Sequence, residues 1–153
     1  MPGRSDSTGY QKARELTVFY GLLTLAYMGA IYHFSSLPGS RISLPAPDYV
    51  MHALEYLGLG GLLGITIRSA GRMRDSLQNP PGIKSNARGS SFRVCVSLPV
   101  SIGFAYALSD EFHQFFVPGR NASISDLAAD LFGIVLAQIF LKLSYDFRPH
   151  GQM

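Results

Sequence analysis

The sequence predicts an all-α protein, an integral membrane bundle of four transmembrane helices. Three observations carry that reading. Hydrophobic residues make up 47% of the 153-residue chain and charged residues only 15%, against about 25% charged in ordinary soluble domains. Four apolar segments of membrane-crossing length lie at about 16–34, 49–67, 94–117 and 124–143. The basic residues are sorted between the connections in a way that a soluble bundle has no reason to adopt.

The first segment, "LTVFYGLLTLAYMGAIYHF", holds no Asp, Glu, Lys or Arg and would measure about 28 Å as a helix, close to a hydrocarbon thickness of ~30 Å. It exceeds the roughly 7–15 apolar residues of a signal peptide, and no Ala-x-Ala-like site follows it, so it reads as a span. The second, "YVMHALEYLGLGGLLGITI", carries His52 and Glu55 near one end. The third is free of charge from Val94 to Ser109 and is expected to stay helical to Val117, where Pro118-Gly119 stops it; Pro99 lies inside it and can kink it. The fourth, Ile124 to Leu143, has Asp126 and Asp130 near its start. Together the spans make one domain over 16–143. Residues 1–15 and 144–153 are tails, and 68–93, with its stretch "QNPPGIKSNARGSS", reads as a flexible basic loop.

Charge fixes the expected orientation. Arg4, Lys12 and Arg14 precede the first span; Arg68, Arg72, Arg74, Lys84, Arg88 and Arg93 follow the second; Lys142 and Arg148 close the chain. Only Arg41 and Arg120 fall on the other side, so eleven of the 13 basic residues sort together. By the positive-inside rule, both termini and the long loop are cytoplasmic and the protein sits in the cytoplasmic (inner) membrane, with the lipid bilayer as its first partner. Lys and Arg form no stripe with interleaved aromatics, so no nucleic-acid partner is expected. A single cysteine, Cys95, excludes an internal disulfide.

On this topology the polar residues collect at the extracytoplasmic end. Asp48, Glu55, Asp110, Glu111, Asp126 and Asp130 are six of the ten acids, and His33, His52 and His113 three of the four histidines. Glu55, Asp110 and Asp130 each fall about 9–10 Å below the outer end of their helices at ~1.5 Å per residue. Acids at that depth face a bundle interior or cavity rather than lipid. Helical spacing agrees: Asp48, His52 and Glu55 share one face, as do Asp110, His113 and Gln114, and Asp126 and Asp130. Gly58, Gly60, Gly61 and Gly133 are available for close helix contacts. Plainer roles exist for some of these residues. Asp126 suits the positive end of a helix; Arg120 can neutralise the acids or snorkel to headgroups; Tyr49, Tyr56 and Tyr106 suit packing or the interface.

The segments "HFSSLPGS", "DYVMHALEYLGLG" and "YALSDEFHQFFVPGRNASISDLAADLFG" resemble the VanZ-like membrane proteins. The family's Asp, a His four on, a Tyr and a Gly fall on Asp48, His52, Tyr56 and Gly58. Its acidic-acidic-x-His-Gln block, Pro-Gly-Arg turn and Asp-bearing final span fall on Asp110, Glu111, His113, Gln114, Pro118, Gly119, Arg120, Asp126, Asp130 and Gly133. Members often carry Lys after the first Asp, and here the residue is Tyr49. The resemblance implies a link to resistance against the glycopeptide teicoplanin in the family's founding member, and no established reaction.

Two functional readings follow. In the first, the outer pocket binds an amphiphilic cell-envelope or glycopeptide-like ligand through Asp48, His52, Glu55, Tyr56, Gln114, Arg120, Asp126 and Asp130. In the second, the protein is a membrane-embedded enzyme on a lipid-linked substrate. His113 or Glu111 would then be general base, and Asp110 with Arg120 would orient the substrate. No HExxH or Gly-x-Ser-x-Gly signature is present. His52, His113, Glu55, Asp110 and Asp130 are ligand types for Zn²⁺, but their pairs are ordinary helical spacings, so no metal and no other cofactor is assigned.

Overall fold

The computed structural model describes residues 4–39, 47–78 and 88–146. All four regular elements among them are helices: α1 (Arg4–Ser35), α2 (Asp48–Gln78), α3 (Arg88–Gln114) and α4 (Ile124–Asp146). Arg41 and residues 79–87, the centre of the expected loop, lie outside the described residues.

The helices outrun the spans read from hydropathy. The polar segment before Leu16 contains no proline after Pro2, and α1 already begins at Arg4. Residues 68–78 likewise hold no proline, so α2 continues through what reads as the start of the loop. At the other end of the bundle α3 stops three residues short of Val117. Phe116 and Val117 donate to the carbonyls of His113 and Gln114 at 3.0 Å, a tightened i→i−3 pattern. Val117 precedes Pro118, whose ring disfavours helical geometry in the residue before it. Pro118 and Gly119 then form the centre of a turn closed by Arg120 N–H to Val117 C=O at 3.1 Å. Gly119 has φ 75°, the position where a type II turn needs glycine. Gly39 N–H donates to Pro118 C=O at 3.2 Å, tying the end of α1 to this turn.

Three helical segments, Thr8–Ser35, Asp48–Gln78 and Ile124–Tyr145, are long and apolar enough to cross a membrane. α3 has the length, at 27 residues, but falls below that combined mark. Its serines, Pro99, Asp110 and Glu111 lower its hydropathy.

α2 is the central helix: it packs on α1, α3 and most extensively α4. α3 also packs on α4, whereas α1 and α3 barely meet. The α2–α4 contact is made by glycine: a Cβ on Gly60 would lie 2.8 Å from Ile134 Cα, and one on Gly133 2.8 Å from Leu57 N. Backbones can approach that closely only without side chains between them. The interior is unusually polar. Among the described residues ten polar or charged side chains are buried against seven hydrophobic ones, while Phe19, Leu22, Phe112, Phe132 and Phe140 are exposed. That inversion is what a bilayer demands, because lipid accepts the apolar surface and polar groups turn inward.

Candidate functional site

The C-terminal ends of α1 and α3 and the N-terminal ends of α2 and α4 lie at one end of the bundle, and there the sequence-predicted residues gather. Asp130, on the α2-facing side of α4, is fully buried. Its Oδ1 accepts a hydrogen bond from His52 Nδ1 on α2 at 3.0 Å. The same Nδ1 lies 3.9 Å from Glu111 Oε1 on α3. Three helices thus converge on one imidazole.

Glu111 is held from α4. Its Oε2 accepts the backbone N–H of Ser123 at 2.8 Å. Ser123 is the N-cap of α4: its carbonyl accepts from Leu127 N–H at 3.1 Å, and its Oγ from Ser125 N–H at 3.2 Å. Next to Glu111, Asp110 Oδ2 accepts from Gln114 Nε2, one turn further on in the same helix, at 3.0 Å. Asp126, buried in the first turn of α4, completes a second group with His52 and the exposed Asp48. Tyr56 is fully buried beneath the layer, in the core with Ile31, Leu59 and Ile134, and within electrostatic range of Asp110 and Asp130. Glu55 is half-buried at the same level, in range of His52, Asp110 and Asp130. Its carbonyl accepts from Tyr27 of α1 at 3.1 Å.

His113 goes elsewhere. Although it shares a helical face pattern with Asp110 and Gln114, its ring stacks on Tyr32 of α1 at 4.6 Å. Its Nε2 is hydrogen-bonded to Ser36 Oγ at 2.9 Å. The Ser36 hydroxyl proton is given to Tyr32 C=O, so the imidazole is the donor. His113 therefore serves the α1–α3 contact and is not joined to the carboxylate layer. Arg120 also ties helices together: Nη2 donates to Phe34 C=O at 3.2 Å, and Nη1 lies 3.9 Å from Asp48 Oδ1. His33 is exposed beside Phe34.

The match to a family model decides where this chain belongs. The model, described as VanZ/LLP1, covers residues 7–145. The chain belongs to the VanZ/LLP1 family. No curated protein and no solved structure matches it.

Within this VanZ/LLP1 bundle several polar contacts carry no motif. Tyr106 Oη donates to Met28 C=O at 2.6 Å, joining α3 to α1. Towards the other end Thr66 meets Thr24 at 3.1 Å, and Gln138 donates to Gly60 C=O at 2.7 Å while accepting from Arg68 at 3.3 Å. The available signal was polarity out of place. Thr24 and Gln138 sit in otherwise apolar runs, and such residues find partners across helices. Ser123, as the residue that fixes Glu111, carried no signal in the sequence.

Chemically the layer is an acid-rich, buried site around one imidazole. Among the described residues Arg120 stands at its rim, paired with Asp48.

Proposed function

We propose that the chain is a four-span envelope protein that binds an amphiphile, with its polar end at the carboxylate–histidine layer on the extracytoplasmic side. The charge sorting in the sequence supports that orientation. The observation that carries the reading is a groove of about 530 Å³ between α1 and α3, where the bundle is least packed. Its wall is apolar: Leu22, Leu25 and Met28 from α1, Leu63 from α2 and Ile102 from α3. Leu63 lies eight residues beyond Glu55 and Ile102 eight before Asp110, about 12 Å along each helix. An acyl chain lying in the groove would thus place its head at the level of the acids. Lipid-linked envelope precursors and glycopeptide-like molecules with an apolar tail have that shape.

A groove-filling change separates this reading from general lipid solvation. Gly21 lines the groove, and a Cβ there has its nearest neighbour 4.0 Å away. Gly21→Phe fills the channel without touching the acidic layer. Mass spectrometry of purified protein is expected to find a retained amphiphile in the wild type. Retention should fall about tenfold in Gly21→Phe, equivalent to ~1.4 kcal/mol or roughly two buried methylenes. Equal retention in both proteins, or none in the wild type, rejects the assignment.

One observation favours catalysis as a second reading. His52 is held by Asp130 at 3.0 Å, the orientation a general base needs. The base would then be His52 and not His113. Turnover of a lipid-linked substrate lost in His52→Ala and kept in His113→Ala would establish it; the reverse pattern would exclude it.

A further inference from the structure

We propose that His52, Glu111 and Asp130 hold a divalent transition-metal cation of the Zn²⁺ or Mn²⁺ type. The three side chains come from α2, α3 and α4, all are buried, and each offers one ligand atom within 4.8 Å of the others. The amphiphile reading is not needed for this inference, because it rests on the layer alone.

Proximity of acids would not be enough. The second observation is where the unpartnered atoms are. Among the described residues five buried side-chain polar atoms have no hydrogen-bond partner: Tyr56 Oη, Asp110 Oδ1, Glu111 Oε1, Asp130 Oδ2 and Arg120 Nε. Three are carboxylate oxygens of one layer, and Tyr56 is within electrostatic range of two of those acids. Tyr56, Asp110, Glu111 and Asp130 are each more than nine-tenths buried. A buried acceptor left without a donor costs about 1–3 kcal/mol, more when charged. A cation that takes a lone pair of Glu111 Oε1 removes that cost there, and its charge offsets the cost at the neighbouring Asp130 carboxylate.

The second contacts aim the ligands. Glu111 uses Oε2 on Ser123 N–H, leaving Oε1 turned towards His52 Nδ1 at 3.9 Å. Asp130 Oδ1 lies 3.0 Å from the same nitrogen. Two ligand atoms at ~2.0–2.1 Å from one ion stand about 2.9–3.4 Å apart, according to whether the angle is octahedral or tetrahedral. The Asp130 pair already has that separation, and Glu111 must close by roughly half an ångström.

Ligand type narrows the ion. An imidazole nitrogen with two carboxylates suits Zn²⁺ or Mn²⁺, while Ca²⁺ and Mg²⁺ sites are built from oxygen. Neutral imidazole, two carboxylates and a 2+ ion sum to zero charge, the cheapest state inside a bilayer. Binding replaces the proton on His52 Nδ1 and releases it to water, so affinity should fall as the medium is acidified.

The test uses full-length protein in detergent, purified through a tag without histidine and stripped with EDTA. Zn²⁺ and Mn²⁺ are titrated in and bound metal is counted by elemental analysis. Co²⁺, as a spectroscopic stand-in, is followed by its visible absorption. The wild type is expected to take up about one ion per chain and to melt higher with metal than without. Glu111→Gln and Asp130→Asn should weaken binding by about 100-fold or more. His113→Ala and Asp48→Asn should stay within about threefold, as neither belongs to the ligand set. No bound ion and no Co²⁺ bands in the wild type would overturn the proposal, even if every variant failed to fold. So would uptake that survives both Glu111→Gln and Asp130→Asn, or uptake lost in Asp48→Asn and kept in Glu111→Gln. A positive metal result with no retained amphiphile would leave this inference standing and remove the other.

Discussion

Gly133→Ala is expected to loosen the α2–α4 contact and lower stability by about 3 kcal/mol, the upper part of the range for overpacking. The one added methyl would collide with Ala53 C=O and stand 2.8 Å from Leu57 N. Both are backbone atoms of α2, so no side chain can swing aside. The helices themselves must separate, and α2–α4 is the most extensive contact in the bundle. Asp130 lies one turn before Gly133 on α4, so the same separation would pull Asp130 Oδ1 from His52. Gly61→Ala is the control, since a Cβ there meets nothing within 4 Å. Alanine is favoured over glycine inside a helix by about 1 kcal/mol, which leaves Gly61→Ala neutral or slightly stabilised. Denaturation in mixed micelles reads both. Equal stability of the two variants would mean that the close approach at Gly133 is absent.

That contrast also shows what the chain made legible. Sequence named Gly58, Gly60, Gly61 and Gly133 together as small residues. Periodicity cannot say which of them meets a backbone, because that depends on the rotation of the neighbouring helix. The structure separates them: Gly60 and Gly133 seat α2 on α4, Gly58 faces the hydroxyl of Tyr27, and Gly61 faces open space. The acidic end was readable for a stronger reason. Charged groups cannot face hydrocarbon without large cost, so Asp110, Glu111 and Asp130 had to turn inward whatever the packing. The depth read for Asp110 was too great, because α3 ends at Gln114, four residues or about 6 Å further on, and not at Val117.

The histidines mark where such reasoning stops. His52 and His113 both follow an acid at helical spacing, and the sequence assigns His52 to ligand binding and His113 to candidate base catalysis with no packing to separate them. Three-dimensional packing gives His52 to Asp130 and His113 to Ser36 and Tyr32. The α1–α3 groove was equally hidden, since it arises where two helices meet only sparsely. α3 escaped full reading at its C-terminal end. Its C-terminus is cut back by Pro118 acting through Val117, and its apolarity is diluted by the acids that build the site. Two of the residues that make α3 a weak span, Asp110 and Glu111, are also residues of the layer.

Removing His52 should produce the other large effect. In EDTA, His52→Ala is expected to cost about 3–5 kcal/mol, the scale seen when one partner of a buried ionic pair is deleted. Asp130 has no exposed surface, its Oδ1 is bonded to His52, and its Oδ2 has no partner. Without the imidazole, Asp130 and Glu111 are left facing each other across the space it filled, with no donor for Asp130. The double variant His52→Ala/Asp130→Ala should therefore be less damaged than the sum of its single changes, with a coupling of about 1–3 kcal/mol. Glu111→Gln in the His52→Ala background should recover part of the loss, because it removes a like charge from the same space and keeps an acceptor for Ser123 N–H. His113→Ala supplies the comparison: it breaks a half-buried contact to Ser36 at 2.9 Å, and about 1 kcal/mol is expected. Additive single changes at His52 and Asp130 would show that the 3.0 Å contact stores no coupling. The carboxylate layer would then be three separate acids rather than a site organised around one imidazole.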